Sequence, residues 1–311
     1  MSTPRTSLSS SGSSSGPPST PSAAASSASG VQLFAVVGSE PKALPVPSTA
    51  ASFHDLLDDV ELGVYSALRT FHHDRFLMLD AHFDRTDRSM ELLGWDFRLD
   101  RPSLRRALHR VVTAYPLADA RVRFDVLAKP AARIGVDSRL VIALSPFHSV
   151  PERYLREGVR VEIARELTRV QPLVKKADFV LKRRPYPLER PEAYEHLLVD
   201  AEGRILECSS SNFHGVRGGE LFTAAGGALE GITQKILLRV AGELAVRVRR
   251  EHVRVADVGA LDEAFLTSST RGLFPIVDGA GTKIGSGVPG SCTAELSRAY
   301  DELAEREAVR A

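Results

Sequence analysis

Two cysteines, one tryptophan and a single asparagine stand in a chain of 311 residues, and aromatic side chains make up only 6% of it. Cys208 and Cys292 are too few for a disulfide framework, and no CxxC spacing offers a metal its ligands, so no metal is expected. A reducing compartment, the cytoplasm, is the expectation. No apolar run approaches the roughly 20 residues that span a bilayer, so no membrane segment is expected. Formal net charge is +1, which gives no global field to recruit nucleic acid or an acidic surface. Of the 40 basic residues only seven are lysines: Lys42, Lys129, Lys175, Lys176, Lys182, Lys235 and Lys283. Any chemistry that needs a lysine amine therefore has few candidates. Against these scarcities, 43% of the chain is hydrophobic, enough for two ordinary domains with cores of their own.

Residues 1–30 are rich in Ser, Pro and Ala, with one arginine and no acid. Such a segment cannot bury enough surface to offset its ordering entropy, so a disordered tail is expected. Its serines and lack of acids suggest an organellar transit peptide, but one arginine and no amphipathic pattern argue against that. Ordered chain begins near Val31. A strand is expected over residues 33–37, then a polar loop with Pro41, Pro45 and Pro47. A second strand over 64–71 is expected to continue as a hairpin through 75–79. Asp80 then caps a helix over 81–93, stopped by Gly94, and a second helix opens at Pro102. Strands over 122–127 and 139–145 complete an α+β unit spanning 31–147. The polar, proline-containing stretch 148–158 reads as an interdomain linker. Residues 159–311 read as a larger domain of hairpins and helices. Its helix over 232–248 carries Ile232, Ile236, Leu237, Val240, Leu244 and Val248 on one side, and a final amphipathic helix covers 293–309.

The stretch 197–233, LLVDAEGRILECSSSNFHGVRGGELFTAAGGALEGIT, organises the rest. Two hairpins follow one another, with turns at DAEG and RGGE. A lone carboxylate, Glu207, closes one apolar strand, and Asn212 follows five residues later. Gly231-Ile232-Thr233 then opens a helix, the kind of backbone whose N–H groups bind phosphate.

Six segments in order resemble those of one family. HFDRTDRS (82–89) resembles HxxRLxxS, QPLVKKADF (171–179) resembles PxxKxxNY, and ECSSSNFHGV (207–216) resembles ExxxSNxFxV. LEGITQKIL resembles LxGITRxxL, while FLTSSTRGLFPIV and GSGVPGSCT resemble the closing TSxxxxxxPV and GxGxxGxxT pieces. The family is that of the fold-type IV, or class IV, pyridoxal-phosphate enzymes, which includes branched-chain and D-amino-acid aminotransferases and 4-amino-4-deoxychorismate lyase. Any one segment is weak evidence; six in order, from about residue 60 to 301, are not.

The resemblance implies a two-domain α+β fold, pyridoxal 5'-phosphate in the interdomain cleft, a homodimer, and transamination between an amino acid and a 2-oxo acid. Elimination of pyruvate from aminodeoxychorismate, or cofactor binding without turnover, are the alternatives. It assigns Lys175 to hold the cofactor aldehyde as a Schiff base and to shuttle the α-proton, with Lys176 the rival. Lys182, with Arg183 and Arg184, reads as a solvated charge cluster. Glu207 is assigned to the pyridine nitrogen. Arg85, the Ile232 and Thr233 amides, the Thr233 hydroxyl and Ser269 are assigned to the phosphate. Tyr65 matches an aromatic on the substrate side, and Arg271, or else Arg121 or Arg123, is a candidate for the substrate carboxylate. Asn212 is assigned to holding the Glu207 loop against the next strand. Three departures stand out: Ser66 where relatives often have glutamate, Phe179 where tyrosine is common, and Gln234 where arginine is usual.

Overall fold

The computed structural model describes residues 30–46, 61–130, 137–183 and 185–311. The serine-rich segment, Pro47 and Arg184 lie outside them. In chain order the first half holds β1 (Gln32–Val37), β2 (Glu40–Leu44), β3 (Val64–Arg69) and a two-residue β4 (Arg75–Phe76). Helices α1 (Leu79–Leu92) and α2 (Arg101–Thr113) follow, then β5 (Ala120–Val126) and β6 (Leu140–Pro146). The second half holds α3 (Glu152–Glu157), β7 (Val159–Ile163), α4 (Asp178–Lys182), β8 (Ala193–Val199) and β9 (Ile205–Cys208). It continues with β10 (Asn212–Arg217), β11 (Glu220–Thr223), α5 (Ile232–Glu243), β12 (Val248–Arg250) and β13 (Glu263–Ser268). β14 (Gly272–Gly279), β15 (Thr282–Lys283), α6 (Ser291–Glu307) and β16 (Val309–Arg310) complete it.

The period-2 alternation of apolar residues builds the first sheet. Its order is β2-β1-β6-β5-β3, all antiparallel. Phe34 and Val36 face the core shared with α1 and α2, while Leu33 and Ala35 join Leu44, Val141 and Ala143 on the other face. Pro41, expected in a loop, lies in β2 opposite Val36. β2 is the edge strand, where a missing N–H breaks no ladder hydrogen bond. Helix α1 starts at Leu79, and Asp80 does not cap it: the cap position is Met78 in the left-handed conformation, φ 51°, with no side-chain bond. Asp80 sits in the first turn and pairs with Arg105 instead. The expected hairpin from β3 into 75–79 is reduced to one bridged pair, with Phe71 N–H donating to the Arg75 carbonyl at 2.8 Å and Arg75 N–H to the Phe71 carbonyl at 3.0 Å, and β4 pairs with β16 at the far end of the chain.

The second sheet runs β12-β11-β10-β13-β14-β7-β8-β9, with β15 on β14. It curls until its ends meet. Ile205 N–H donates to the Val253 carbonyl at 2.8 Å, and Val255 N–H to the Gly203 carbonyl at 2.9 Å. The curl encloses Val161, Leu197, Phe213, Leu266 and Phe274. Helices α5 and α6 cover another face through Leu237, Val240, Phe265, Leu296 and Leu303. Each such buried side chain contributes about 1.5–3 kcal/mol. Helix α5 ends at Glu243 rather than 248, because Ala245 takes a left-handed φ of 56°. Leu244, Val246 and Val248 still pack on the α5–α6 core, now as chain entering a strand, which is why the apolar spacing carries past the helix. Helix α6 likewise stops at Glu307, short of the expected 309. The stretch 148–158 contains α3, and its Tyr154 packs edge-on against Tyr194 at 5.2 Å. Among the described residues no helix is long and apolar enough to cross a membrane.

Candidate active site

The two sheets meet where the segment before α4 docks on the first. Tyr65 N–H donates to the Lys175 carbonyl (3.0 Å), Ala177 N–H to the Gly63 carbonyl (2.9 Å), and Lys175 N–H to Ser89 Oγ of α1 (3.2 Å). Lys175 is thus fixed by the backbone of β3 and a side chain of α1. A cleft of about 510 Å³ opens beside it. Tyr65, Arg85, Lys175, Glu207, Ile232, Thr233, Ser269 and Arg271 all line it; Lys176 does not.

At one end lies Glu207, buried on β9. One oxygen accepts from Arg169 Nε at 2.7 Å and the other from Leu229 N–H at 3.2 Å. The Arg169 guanidinium lies 3.9 Å from the centre of the Phe179 ring, so the residue that lacks a tyrosine hydroxyl serves as the floor of this ion pair. Leu229 is held a second time, since Asn212 Nδ2 donates to its carbonyl at 2.8 Å. Asn212 therefore anchors the lead-in to α5, whereas the sequence pointed to the next strand.

At the other end the chain enters α5 through Gly231, whose position carries no side-chain cap. The first amides of the helix are left for a ligand. Thr233 Oγ1 and Ser269 Oγ lie 3.3 Å apart beside them. Gln234 points elsewhere, donating to Thr223 Oγ1 at 3.0 Å. Arg85 reaches in from α1. Its Nη2 donates to Ser66 Oγ at 2.8 Å, and Ser66 Oγ lies 2.9 Å from His82 Nδ1. Burial first, then Arg85 and Lys175, holds the His82 pKa well below the ordinary value. The neutral ring thus accepts the Ser66 proton, and the serine oxygen is free to receive Arg85.

Between the two ends the Lys175 amine lies 5.1 Å from the centre of the Tyr65 ring. Burial, reinforced by Arg85 and Arg169 and opposed by Tyr65 and Glu207, lowers its pKa to about 8. For Tyr65, burial raises the pKa, but Lys175, Arg123, Arg183 and Arg169 together outweigh it and bring it to about 7.

Several participants carried no sequence signal of their own. Glu195 accepts from Ser211 Oγ at 2.9 Å, from Ser209 Oγ at 3.3 Å and from Ser210 N–H, and so organises the serine run. It also pairs with Arg271 at 3.4 Å. Arg271 donates further to Tyr194 Oη, Ser210 Oγ and Ser268 Oγ at 3.1, 2.8 and 3.0 Å. Its donors are largely committed within the protein. Arg183, read as part of a solvated cluster, is instead half-buried on the cleft wall and donates to the Ser209 carbonyl at 2.9 Å. Lys182 beside it is exposed and pairs with Asp178.

Comparison with known proteins agrees with this architecture. The sequence profile described as Amino-transferase class IV matches residues 63–278. A branched-chain-amino-acid aminotransferase of Pseudomonas aeruginosa is 24% identical over 257 residues, covering 78% of this chain and 84% of its own length. A D-alanine aminotransferase of Listeria monocytogenes is 24% identical over 261 residues, covering 77% and 86%. Among solved structures, the branched-chain aminotransferase of Escherichia coli superposes with a TM-score of 0.70 at 19% identity, over 89% of this chain and 95% of that one. That of Thermoproteus uzoniensis gives 0.67 at 20% identity, over 89% and 95%. The chain belongs to the class IV aminotransferases. It is an enzyme of pyridoxal-phosphate-dependent transamination with the two-domain fold-type IV architecture.

The residues present fit that cofactor. Arg85 Nε is a buried donor with no hydrogen-bond partner among the described residues. It lines the same cleft as the uncapped start of α5, as a phosphate ester requires. A half-buried lysine of lowered pKa and a buried carboxylate complete the set.

Proposed function

We propose that Lys175 is the catalytic lysine and that the cofactor phosphate is received by Arg85, the Ile232 and Thr233 amides, the Thr233 hydroxyl and Ser269. Glu207 faces the pyridine nitrogen. Tyr65 and Arg271 belong to the substrate side, where an amino acid and then a 2-oxo acid exchange the amino group. The bound cofactor supplies an electron sink for the charge that develops at the substrate Cα.

The remaining work falls to the chain itself. Lys175 Nζ takes the proton from the substrate Cα and returns it. A pKa of about 8 leaves about a tenth of the amine neutral at pH 7, against roughly one part in 3,000 for a solvent-exposed lysine. Arg169 holds Glu207 in one orientation, and Ser66 does the same for Arg85. The reading rests on one observation above all: a half-buried lysine of lowered pKa lies in one cleft with a buried carboxylate and an anion-ready helix start. No observation favours the pyruvate-eliminating lyase. We also read the enzyme as a cytoplasmic homodimer, after the family expectation.

The test is a half-reaction panel. Purified protein loaded with pyridoxal phosphate is offered L- and D-amino acids singly, without acceptor, while its absorbance is followed. Conversion to the pyridoxamine form, reversed by a 2-oxo acid, is the expected result. Holoenzyme that converts with no amino acid in the panel would refute the proposal.

A further inference from the structure

We infer that Glu195 is a positioning residue for the cofactor site: through Arg271 it holds the turn that carries Ser269, and through Ser209, Ser210 and Ser211 it holds the loop that follows Glu207. The inference rests on the cofactor roles proposed for Ser269 and Glu207 and adds a residue that acts on both from behind the cleft wall.

Glu195 lies on β8 and is 5% exposed. It does not line the cleft; Tyr194, Ser210, Ser211 and Arg271 do. Leu197, two residues on, pairs with Cys208 of β9, which brings the loop after β9 back across the start of β8. A carboxylate taken out of water needs donors, and this one draws them from two separate segments. Its Oε1 accepts from Ser209 Oγ at 3.3 Å and from Ser210 N–H. Its Oε2 accepts from Ser211 Oγ at 2.9 Å and from Arg271 Nη1 at 3.4 Å.

Each segment carries a residue assigned to the cofactor. Ser268 and Gly272 pair across β13 and β14, and Arg271 N–H donates to the Ser268 carbonyl at 3.2 Å, so Ser269 and Thr270 form the tip of a tight turn. The Arg271 side chain braces that turn through Ser268 Oγ at 3.0 Å while its far end meets Glu195. Burial opposes the Arg271 charge, but Glu195 and then Tyr194 hold its pKa above the ordinary guanidinium value. Without the Glu195 charge, its remaining hydrogen-bond partners among the described residues are the neutral oxygens of Tyr194, Ser210 and Ser268, which fix a cation less strictly than a carboxylate does. In the other segment Cys208 N–H donates to the Ser211 carbonyl at 2.8 Å, closing a short loop directly after Glu207. The Cys208 thiol is fully buried and bonded to Ser211, so it reports whether that loop is shut.

Two readouts on the full chain test the inference. The first is the Kd for pyridoxal phosphate, by absorbance titration. Glu195→Gln keeps the shape and removes the charge, and should raise the Kd about 10- to 100-fold. In a Ser269→Ala background the same change should raise it at least about threefold less, because the turn no longer carries its phosphate contact. Arg271→Gln cuts the same tie from the side of the turn and should show the same coupling to Ser269→Ala. The second readout is labelling of Cys208 by a thiol reagent in the cofactor-free protein, with Cys292→Ser leaving it as the sole thiol. Glu195→Gln should speed that labelling about tenfold or more. Ile142→Val, a change in the core of the first sheet, should move neither readout. An unchanged Kd, equal costs with and without the Ser269 hydroxyl, an unchanged labelling rate, or effects that Ile142→Val reproduces each overturn the inference. Wild-type protein that takes up no pyridoxal phosphate defeats the functional reading itself, whereas equal costs in a protein that binds it defeat this inference alone.

Discussion

Gly231→Ala tests whether the lead-in to α5 sets the affinity for the cofactor. Gly231 has φ −66° and ψ 140°, a conformation any residue adopts, so glycine is present for room and not for backbone freedom. A Cβ would overlap Asn212 Oδ1, with Asn212 Cγ at 3.2 Å. The asparagine must then turn away and give up its 2.8 Å bond to the Leu229 carbonyl. Leaving that buried pair unmade costs about 1–3 kcal/mol. Leu229 also holds Glu207, so the disturbance reaches both ends of the cleft. Expressed wholly in cofactor binding, the cost is about a 5- to 150-fold rise in Kd. Titration of the apoprotein with pyridoxal phosphate, followed by absorbance, measures it. The same change in an Asn212→Ala background should cost at least about 1 kcal/mol less, because the obstructing carboxamide is gone. Equal costs in the two backgrounds, or none in the wild type, would refute the reasoning.

Two further outcomes are expected. Arg169→Leu should destabilise the protein by about 3–5 kcal/mol in urea unfolding, since it strands a carboxylate that is 3% exposed; Glu207→Gln in the same chain should recover much of that, and a loss under 1 kcal/mol would contradict the assignment. In the cofactor-free protein, stability should rise between pH 7 and 10. The folded pKa of Lys175, about 8, lies below its unfolded value, so the cost of burying the cation is full below 8 and vanishes toward 10.5. Tyr65, lowered to about 7, adds stability that is complete above 10 and lost as the pH falls through 7. Because the two groups shift one another, the combined rise is on the order of a few kcal/mol. Lys175→Met should flatten the profile, and an unchanged slope in that variant would count against it.

The residues proposed to hold the cofactor carry signals that are local in the sequence. A carboxylate ending a strand, a Gly-Ile-Thr helix start and an arginine one turn after a histidine are each short runs of sequence. Their partners are not local. Arg169 meets Glu207 across 38 residues and Arg271 meets Glu195 across 76, and nothing in the flanking residues announces either pair. Arg183 was misread for the same reason. Beside Lys182 it looks solvated, but the end of α4 turns one of the two outward and the other into the cleft. In the fold, the pairing of β4 with β16 joins residues near 75 and 310 with no turn between them to read. Helix α5 was drawn too long because helix and following strand bury their apolar residues in the same core. The strand β2 was missed because proline argues against a strand except at an edge, and edges are a property of the whole sheet.

Borohydride reduction of the holoenzyme, followed by peptide mass spectrometry, tests the central assignment most directly. The account predicts a single phosphopyridoxyl adduct, on Lys175, with none on Lys176, Lys182 or Lys235. An adduct on any of those lysines, or a protein that takes up no pyridoxal phosphate, would contradict it.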